Sequence, residues 1–510
     1  MINKQPNIQE QKEIFSAKIV LFDIQNGSGH IVMINSEQAA EYWIKDDDKI
    51  SLIRRWEEFV VDVSLTDSYV QANEIWVTKD FMDEYPVMEW DTVIVSFVQN
   101  NPLSMQAIRK KLLWKKITDE EIDAIIEDVK NNKIHDLVLA YYVATSFFYK
   151  SDIHELAYTT KATAYTWDMY RFPWIVAGKY CIWWVPGNET TMIVVPILAS
   201  LWITMPKTFS KAITSPAATG ECVNVLMDIN FNKEGIEELV KKVNCCLVWG
   251  GWLDLAPADD KLIKVQYPLS MQSKAKVVSS IMAKKYAMGV THSLIDIPVW
   301  PTAKVTSLRE ARDWQRRFER VGKKLWMKMS VQITKANEVI GNGVWAVLQV
   351  REVLRILQQH PLRAKDLEKK IIFLGGRLIE NIWLAKTKRS AEALARKQLE
   401  SGAAWKKMQE IIEAQWWNPD VDSEKLNLGT HTYDVIAKKS GKLKFMDLHD
   451  VNAICRKLGC PVIDEAGMYL HKKLGDSIKK WEIIATLYAN DETSLKAGIE
   501  RLNERSPFTI

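Results

Sequence analysis

Five short apolar runs rich in β-branched residues open the chain, at 18–22, 30–34, 49–52, 59–63 and 92–97, each bounded by polar turns. Such runs predict strands, and their close spacing predicts a small β domain over residues 1–98. Near Asn100 the period lengthens. Thr118-Asp119-Glu120-Glu121 is a capping box, and Ile122, Ile125, Ile126 and Val129 follow at helical spacing. Residues 99–174 are therefore expected to form a helical domain. From Ile175 onward, apolar runs alternate with amphipathic segments (246–248, 277–285, 293–297, 308–325). That alternation predicts a central α/β domain with a mixed sheet over 175–425, with part of the helical domain returning from this segment. After the Asn418-Pro419 turn, residues 426–510 mix short strands with two helices, an α+β unit. The fold class expected is multidomain α/β.

Composition adds limits. The 510 residues suffice for two to four domains, and 47% hydrophobic with 26% charged residues is the balance of an ordinary globular chain. The 68 Lys+Arg against 64 Asp+Glu leave +4, too little over this length to suggest a nucleic-acid or membrane partner. Six scattered cysteines form no CxxC pair, which fits a reducing compartment. The N-terminal residues lack the apolar core of a secretion signal, and the longest apolar stretch, 192–205, contains Pro196 and is shorter than a membrane span. A cytoplasmic location is expected. No metal site is expected either, since the eight histidines show no ligand spacing.

One pair of counts is abnormal. Glycine at its usual ~7% would give roughly 36 residues, yet there are 21, and tryptophan also numbers 21. Several tryptophans sit where a helix asks for a left-handed residue after its C-cap, a position that favours glycine. Trp43, Trp114, Trp202, Trp326 and Trp416 each follow a helical segment in this way. The expectation is that the source lineage reads UGA as glycine, since GGA and UGA differ by one base. UGG codons at Trp183, Trp184 and Trp202 would refute it.

The segment with most chemical content is Gly178-Lys179-Tyr180-Cys181-Ile182-Trp183-Trp184-Val185-Pro186-Gly187-Asn188-Glu189-Thr190-Thr191. A strand enters a loop and an apolar helix leaves it. With glycine at 183 and 184, backbone N–H groups could close on a phosphate beside Lys179, with the helix N-terminus adding positive potential. A second segment, Lys207-Thr208-Phe209-Ser210-Lys211-Ala212-Ile213-Thr214-Ser215, followed by Thr219, is dense in hydroxyl and ammonium donors. It suits an oxyanion ligand and equally a solvated polar loop. The pattern alone does not choose.

These segments, with 246–260, Ser279-Ser280-Ile281-Met282-Ala283-Lys284-Lys285 and 293–304, resemble the thymidine phosphorylase and AMP phosphorylase family in its long form, over essentially the whole chain. In that resemblance Trp249 and Trp405 fall on family tryptophans, whereas Trp167, Trp183, Trp184, Trp202, Trp300, Trp345, Trp417 and Trp481 fall on family glycines. The resemblance implies a glycosyltransferase that cleaves an N-glycosidic bond with inorganic phosphate as co-substrate and no cofactor. The reaction implied is AMP plus phosphate to adenine plus ribose 1,5-bisphosphate, in nucleotide salvage. Thymidine or another pyrimidine nucleoside is the alternative substrate, and an inactive nucleotide-binding homologue the alternative of another class. The resemblance also implies a homodimer or larger homo-oligomer, and a cleft between helical and central domains.

Site residues follow by position. The resemblance assigns phosphate contacts to Lys179, Trp184 (through its backbone), Thr191, Ser210 and Thr219. It assigns nucleotide contacts to Ser210, Lys211, Ala212, Ile213, Thr214, Ser215, Thr219, Ser280, Lys284 and Lys304. Two acid positions depart from the family. Gln272 stands where the long forms have a proton-donating aspartic acid, and Tyr180 stands where a histidine is usual. An amide cannot deliver a proton, and a phenol with a pKa of about 10 does so poorly at neutral pH.

Overall fold

Six strands at the start of the chain close into a barrel: β1 (Glu13–Phe22), β2 (Ile31–Asn35), β3 (Lys49–Arg54), β4 (Glu57–Thr66), β5 (Glu74–Thr78) and β6 (Thr92–Phe97), in the order β1-β5-β2-β4-β3-β6 with β6 returning to β1. β1 runs parallel to β5 and β2 to β4; the other pairs are antiparallel. Phe15, Ala17 and Ile19 of β1, Ile75 and Val77 of β5, and Val93 and Val95 of β6 alternate into the interior, so one pleat face fills the barrel and closure leaves no unpaired edge. All five strands expected from the apolar runs are present; β5 is an addition. The computed structural model describes residues 13–25, 30–98, 101–148, 152–182, 185–211, 219–250, 258, 261, 262, 265 and 273–510.

The chain forms two compact units, residues 1–151 with 257–273, and residues 152–256 with 274–510. In the first, the barrel is accompanied by helices Pro102–Leu112, Asp119–Lys130 and Asp136–Phe148. The Thr118 capping box is formed, with Thr118 Oγ1 accepting from Glu121 N–H and the Glu121 carboxylate from Thr118 N–H. The helix Ile153–Tyr165, grouped in sequence with these three, belongs to the second unit.

In the second unit, β7 (Ala177–Cys181), β8 (Met205–Phe209), β9 (Cys245–Trp249), β10 (His292–Val299) and β11 (Lys328–Lys335) form a parallel β7-β10-β11 sheet and a parallel β8-β9 pair. A parallel bridge between Val176 and Thr204 links β7 to β8. The sequence suggested a mixed sheet, but every pairing among these described strands is parallel. The reason is the connections: helices Thr191–Ser200, Lys233–Val243, Lys274–Ala287 and Leu308–Lys324 lie between successive strands, and a helical crossover returns the chain in the same direction. β9 and helix Thr191–Ser200 are almost wholly buried, matching their apolar runs, and β10 is equally buried although it carries His292, Ser293 and Asp296.

The remainder of that unit carries β12 (Gly343–Val344), β13 (His431–Ile436), β14 (Gly441–Lys442), β15 (Phe445–Met446), β16 (Gly467–Leu470), β17 (Ser477–Ile478), β18 (Ile483–Ala489) and β19 (Phe508–Thr509). An antiparallel sheet β12-β16-β18-β13 and two short ladders, β14-β17 and β15-β19, pack with helices Leu448–Lys457 and Glu492–Glu504. No helix among the described residues is long and apolar enough to cross a membrane.

Candidate functional site: buried cations at the carboxyl ends of parallel strands

Parallel strands with helical crossovers place their following loops at one edge of the sheet, where ligands of such folds gather. β7 carries Lys179 into this region, 2% exposed. Its Nζ donates to Thr190 Oγ1 at 2.5 Å and Thr191 Oγ1 at 3.2 Å, at the start of helix Thr191–Ser200. Thr190, at the N-cap, makes no side-chain capping bond of its own. Between strand and helix, Gly187 has φ +73°, and a Cβ there would lie 2.5 Å from Ile340 O and 2.7 Å from Gly343 O. Only glycine fits that approach.

Lys179 is not alone. Lys207 on β8 and Lys285 on helix Lys274–Ala287 are also buried. Their ammonium groups lie 5.6 and 5.3 Å from the Tyr180 ring centroid, in cation–π range. Lys207 Nζ donates to Thr208 O at 2.7 Å, and Lys285 Nζ to Lys179 O at 3.5 Å. Burial lowers the pKa of all three: Lys179 below its ordinary value, Lys207 well below, with the charges of Lys285 and Lys179 adding to the effect, and Lys285 to about 7. A polyanion placed among these three ammonium groups would favour their charged forms and so oppose the effect of burial.

One carboxyl accompanies them. Glu189 is buried, and Thr219 Oγ1 donates to its oxygens at 3.2 and 3.4 Å. Burial pushes Glu189 up to about 7, against the opposing pull of Lys179, the Thr219 hydrogen bond and Lys207. Beneath the loop, fully buried Asp296 on β10 accepts from Thr334 Oγ1 at 2.6 Å, pairs with Lys370 Nζ at 2.9 Å, and lies 3.7 Å from Cys181 Sγ.

Lys179, Thr191 and Thr219 thus come together around one cluster, with Glu189 between Lys179's field and the Thr219 hydroxyl. Ser210 is exposed just beyond β8, and Lys211 Nζ lies 4.2 Å above the Trp249 ring. Ser280 and Lys284 occupy one turn of helix Lys274–Ala287, as their spacing implies, and Lys284 Nζ lies 5.6 Å from the Trp167 ring. Lys284 also bears electrostatically on Lys207. Lys304 follows the carboxyl end of β10, where burial lowers it to about 8. Trp183, Trp184, Ala212, Ile213, Thr214, Ser215 and Gln272 lie outside the described residues.

The sequence reading assigned no role to Lys285 or Glu189, and it marked Lys207 only as the first residue of the donor-rich segment. For Lys285 a signal existed: Val278, Ile281 and Met282 are buried at the spacing that puts residue 285 on the same helix face. Lys207 reads as part of a polar loop until its strand is placed.

Residues 442–509 match the family described as the pyrimidine nucleoside phosphorylase C-terminal domain. The chain is 36% identical to an AMP phosphorylase of Thermococcus kodakarensis over 97% of each chain, and 36% identical, at the same coverage, to one from Pyrococcus furiosus. It is 37% identical to a putative thymidine phosphorylase of Rhodopseudomonas palustris over 80% of this chain and 79% of that protein. Among solved structures, anthranilate phosphoribosyltransferase from Thermus thermophilus aligns over 61% of this chain and 99% of its own with a TM-score of 0.50 at 13% identity, a likeness of fold. With identity spread over nearly its whole length, the chain belongs to the family of AMP phosphorylases and their thymidine phosphorylase relatives.

Proposed function

We propose that the chain is a pentosyltransferase that cleaves AMP with inorganic phosphate, releasing adenine and ribose 1,5-bisphosphate. The observation that carries the reading is identity of 36% along 97% of the chain to AMP phosphorylases. The buried Lys179 cluster supplies the chemistry. A phosphate oxygen attacks the anomeric carbon, the C1′–N bond breaks with its electron pair on the base, and the base takes up a proton. Charge on the attacking phosphate and the developing sugar cation must be held in place, which positioned donors achieve without reorganisation. Lys179, Thr191 and Thr219 hold the attacking phosphate, with Lys207 and Lys285 supplying positive potential behind them. Ser280 and Lys284 face the base, and Ser210, Lys211 and Lys304 bind the nucleotide's own phosphate and sugar. The leaving base draws its proton from Tyr180 or from water, since Gln272 cannot give one.

The likeness to a putative thymidine phosphorylase keeps thymidine as the second substrate to try. The test supplies phosphate with AMP or with thymidine to enzyme bearing glycine at 183, 184 and the left-handed tryptophan positions described below, and follows the free base. Adenine from AMP is the expected product. Thymine alone would assign the chain to pyrimidine nucleosides, and neither product would make it a binding homologue without turnover.

A further inference from the structure

Nine of the eighteen tryptophans among the described residues have a left-handed backbone: Trp43, Trp90, Trp114, Trp202, Trp326, Trp345, Trp383, Trp416 and Trp481, with φ between +59° and +90°. Only six other non-glycine residues share that region, three of them asparagines and one an aspartate, the types that tolerate it. A bulky aromatic has no such tolerance.

The positions are specific motifs. Six of the nine follow a helix C-cap directly: Trp43, Trp114, Trp202, Trp326, Trp383 and Trp416. At each, the next residue's N–H closes back on the sixth residue along, as in Ile203 N to Leu198 O at 3.1 Å and Met327 N to Gly322 O at 2.9 Å, while the tryptophan N–H bonds one turn back, as in Trp202 N to Ala199 O at 3.0 Å. This is the helix-ending motif whose left-handed residue is usually glycine. The same chain shows it with glycine: Gly289 ends helix Lys274–Ala287 and Gly459 ends helix Leu448–Lys457, with the same bonds. Trp90 and Trp481 occupy the third position of turns closed by Asp91 N to Met88 O and Glu482 N to Lys479 O, both 3.1 Å. Gly475 holds that place in the turn closed by Asp476 N to Lys473 O. Trp345, at φ 90° and ψ 164°, sits in a region that only glycine populates.

At eight of the nine, packing offers little against the strain, because they are exposed, Trp43 at 85% and Trp326 at 93%. Trp345 is the exception, fully buried with its indole N–H donating to Ile463 O at 2.9 Å, and it is assigned by its backbone alone. Unlike the exposed eight, Trp314, within helix Leu308–Lys324, is 3% exposed and stacked on Phe318. The backbone sorts one residue name into two populations, one behaving as tryptophan and one as glycine.

We propose that these nine positions are glycine in the functioning protein, encoded by UGA in a lineage that reads UGA as glycine, and that Trp314 is a true tryptophan. The structure assigns Trp90 and Trp383, which sequence reading did not single out. Trp167, Trp300 and Trp417 have ordinary backbone and are not marked by this criterion. The inference stands apart from the phosphorylase reading, because its tests read codons and stability rather than turnover.

The codons at the nine positions and at Trp314 test it first. UGA at the nine and UGG at Trp314 is the expected result; UGG at the nine, or UGA at Trp314, overturns it. At the protein level, Trp202→Gly, Trp326→Gly and Trp383→Gly should each raise the folded-to-unfolded ratio about 5- to 30-fold, read as a higher denaturation midpoint. Trp314→Gly should lower it. Unchanged or lower midpoints for all three helix-end exchanges would overturn the proposal even if none of the variants is active.

Discussion

At the scale of single residues, Glu189 poses the sharpest question, because it occupies the Thr219 hydroxyl that the proposed reaction assigns to phosphate. As a carboxylate it repels a phosphate dianion; protonated, it can donate to one. Burial raises its pKa to about 7 from an ordinary 4.5, so both forms are populated near neutrality. The KM for phosphate should therefore climb as pH rises through about 7, and Glu189→Gln should flatten that dependence; a profile unchanged by the substitution would remove Glu189 from the phosphate site. Stability carries the same signature. The folded carboxyl keeps its proton up to about 7 whereas the unfolded one loses it near 4.5, so stability falls across that window as pH rises and is level above it. Denaturation midpoints measured from pH 4 to 8 should lose this slope, worth about 3 kcal/mol, in the Gln variant. Lys179 has a simpler role. Lys179→Gln removes the amine that donates to Thr190 and Thr191, and kcat/KM for phosphorolysis should drop by about 100-fold or more, with circular dichroism unchanged.

Among elements, the fastening of helix Lys365–Asn381 to β10 supports the loop that follows β7. Lys370 reaches from that helix to Asp296, whose backbone carbonyl accepts from Ile182 N at 2.9 Å at the end of β7. Lys370→Met would leave a buried carboxylate without its cation, costing about 3–5 kcal/mol, and adding Asp296→Val should recover a large part of the loss. A double variant no more stable than the single one would show that Asp296 acts through Thr334 and the backbone instead. Elements like these also show what a sequence discloses. Helix Asp119–Lys130 was legible because its cap and its apolar period agree, β9 because its run is continuously apolar, and β10 because its β-branched residues outweigh the interruption at Asp296. β5 was not, since its apolar run is only the three residues Ile75, Trp76 and Val77 between Glu74 and Thr78, too short to stand out. The parallel direction of the described strands β7 to β11 was available in the alternation of apolar runs with amphipathic segments, since a helical crossover returns the chain the same way. Lys179 was legible through its motif, whereas Glu189, Lys207 and Lys285 carry ordinary surface residue types whose burial arises only when the strands and helices come together.

Across the whole molecule, the two units keep separate apolar interiors, and the barrel's is the more self-contained. Its core of Phe15, Ile19, Ile34, Leu52, Val61, Val77 and Val95 draws on residues 13–98 alone. Helix Asp119–Lys130 and the turn after it meet the barrel through polar groups: Asn132 Nδ2 donates to Val60 O at 2.9 Å, Lys49 Nζ to Asn132 Oδ1 at 3.1 Å, and Lys133 pairs with Glu58 at 3.6 Å. A closed barrel of this length has no edge strand left to pair and encloses its own core. Residues 1–98 expressed alone, with Trp43→Gly and Trp90→Gly to relieve the two left-handed tryptophans, should therefore unfold in one cooperative transition in urea. In the full chain, Asn132→Gly, which keeps the left-handed backbone free of strain, should lower stability by about 1–3 kcal/mol through the unmet Val60 carbonyl. If the isolated segment instead unfolds gradually, the polar contacts of Asn132 and Lys133 are a condition of the barrel's folding rather than an addition to it, and the first unit is then a single cooperative body in which the helices hold the barrel closed.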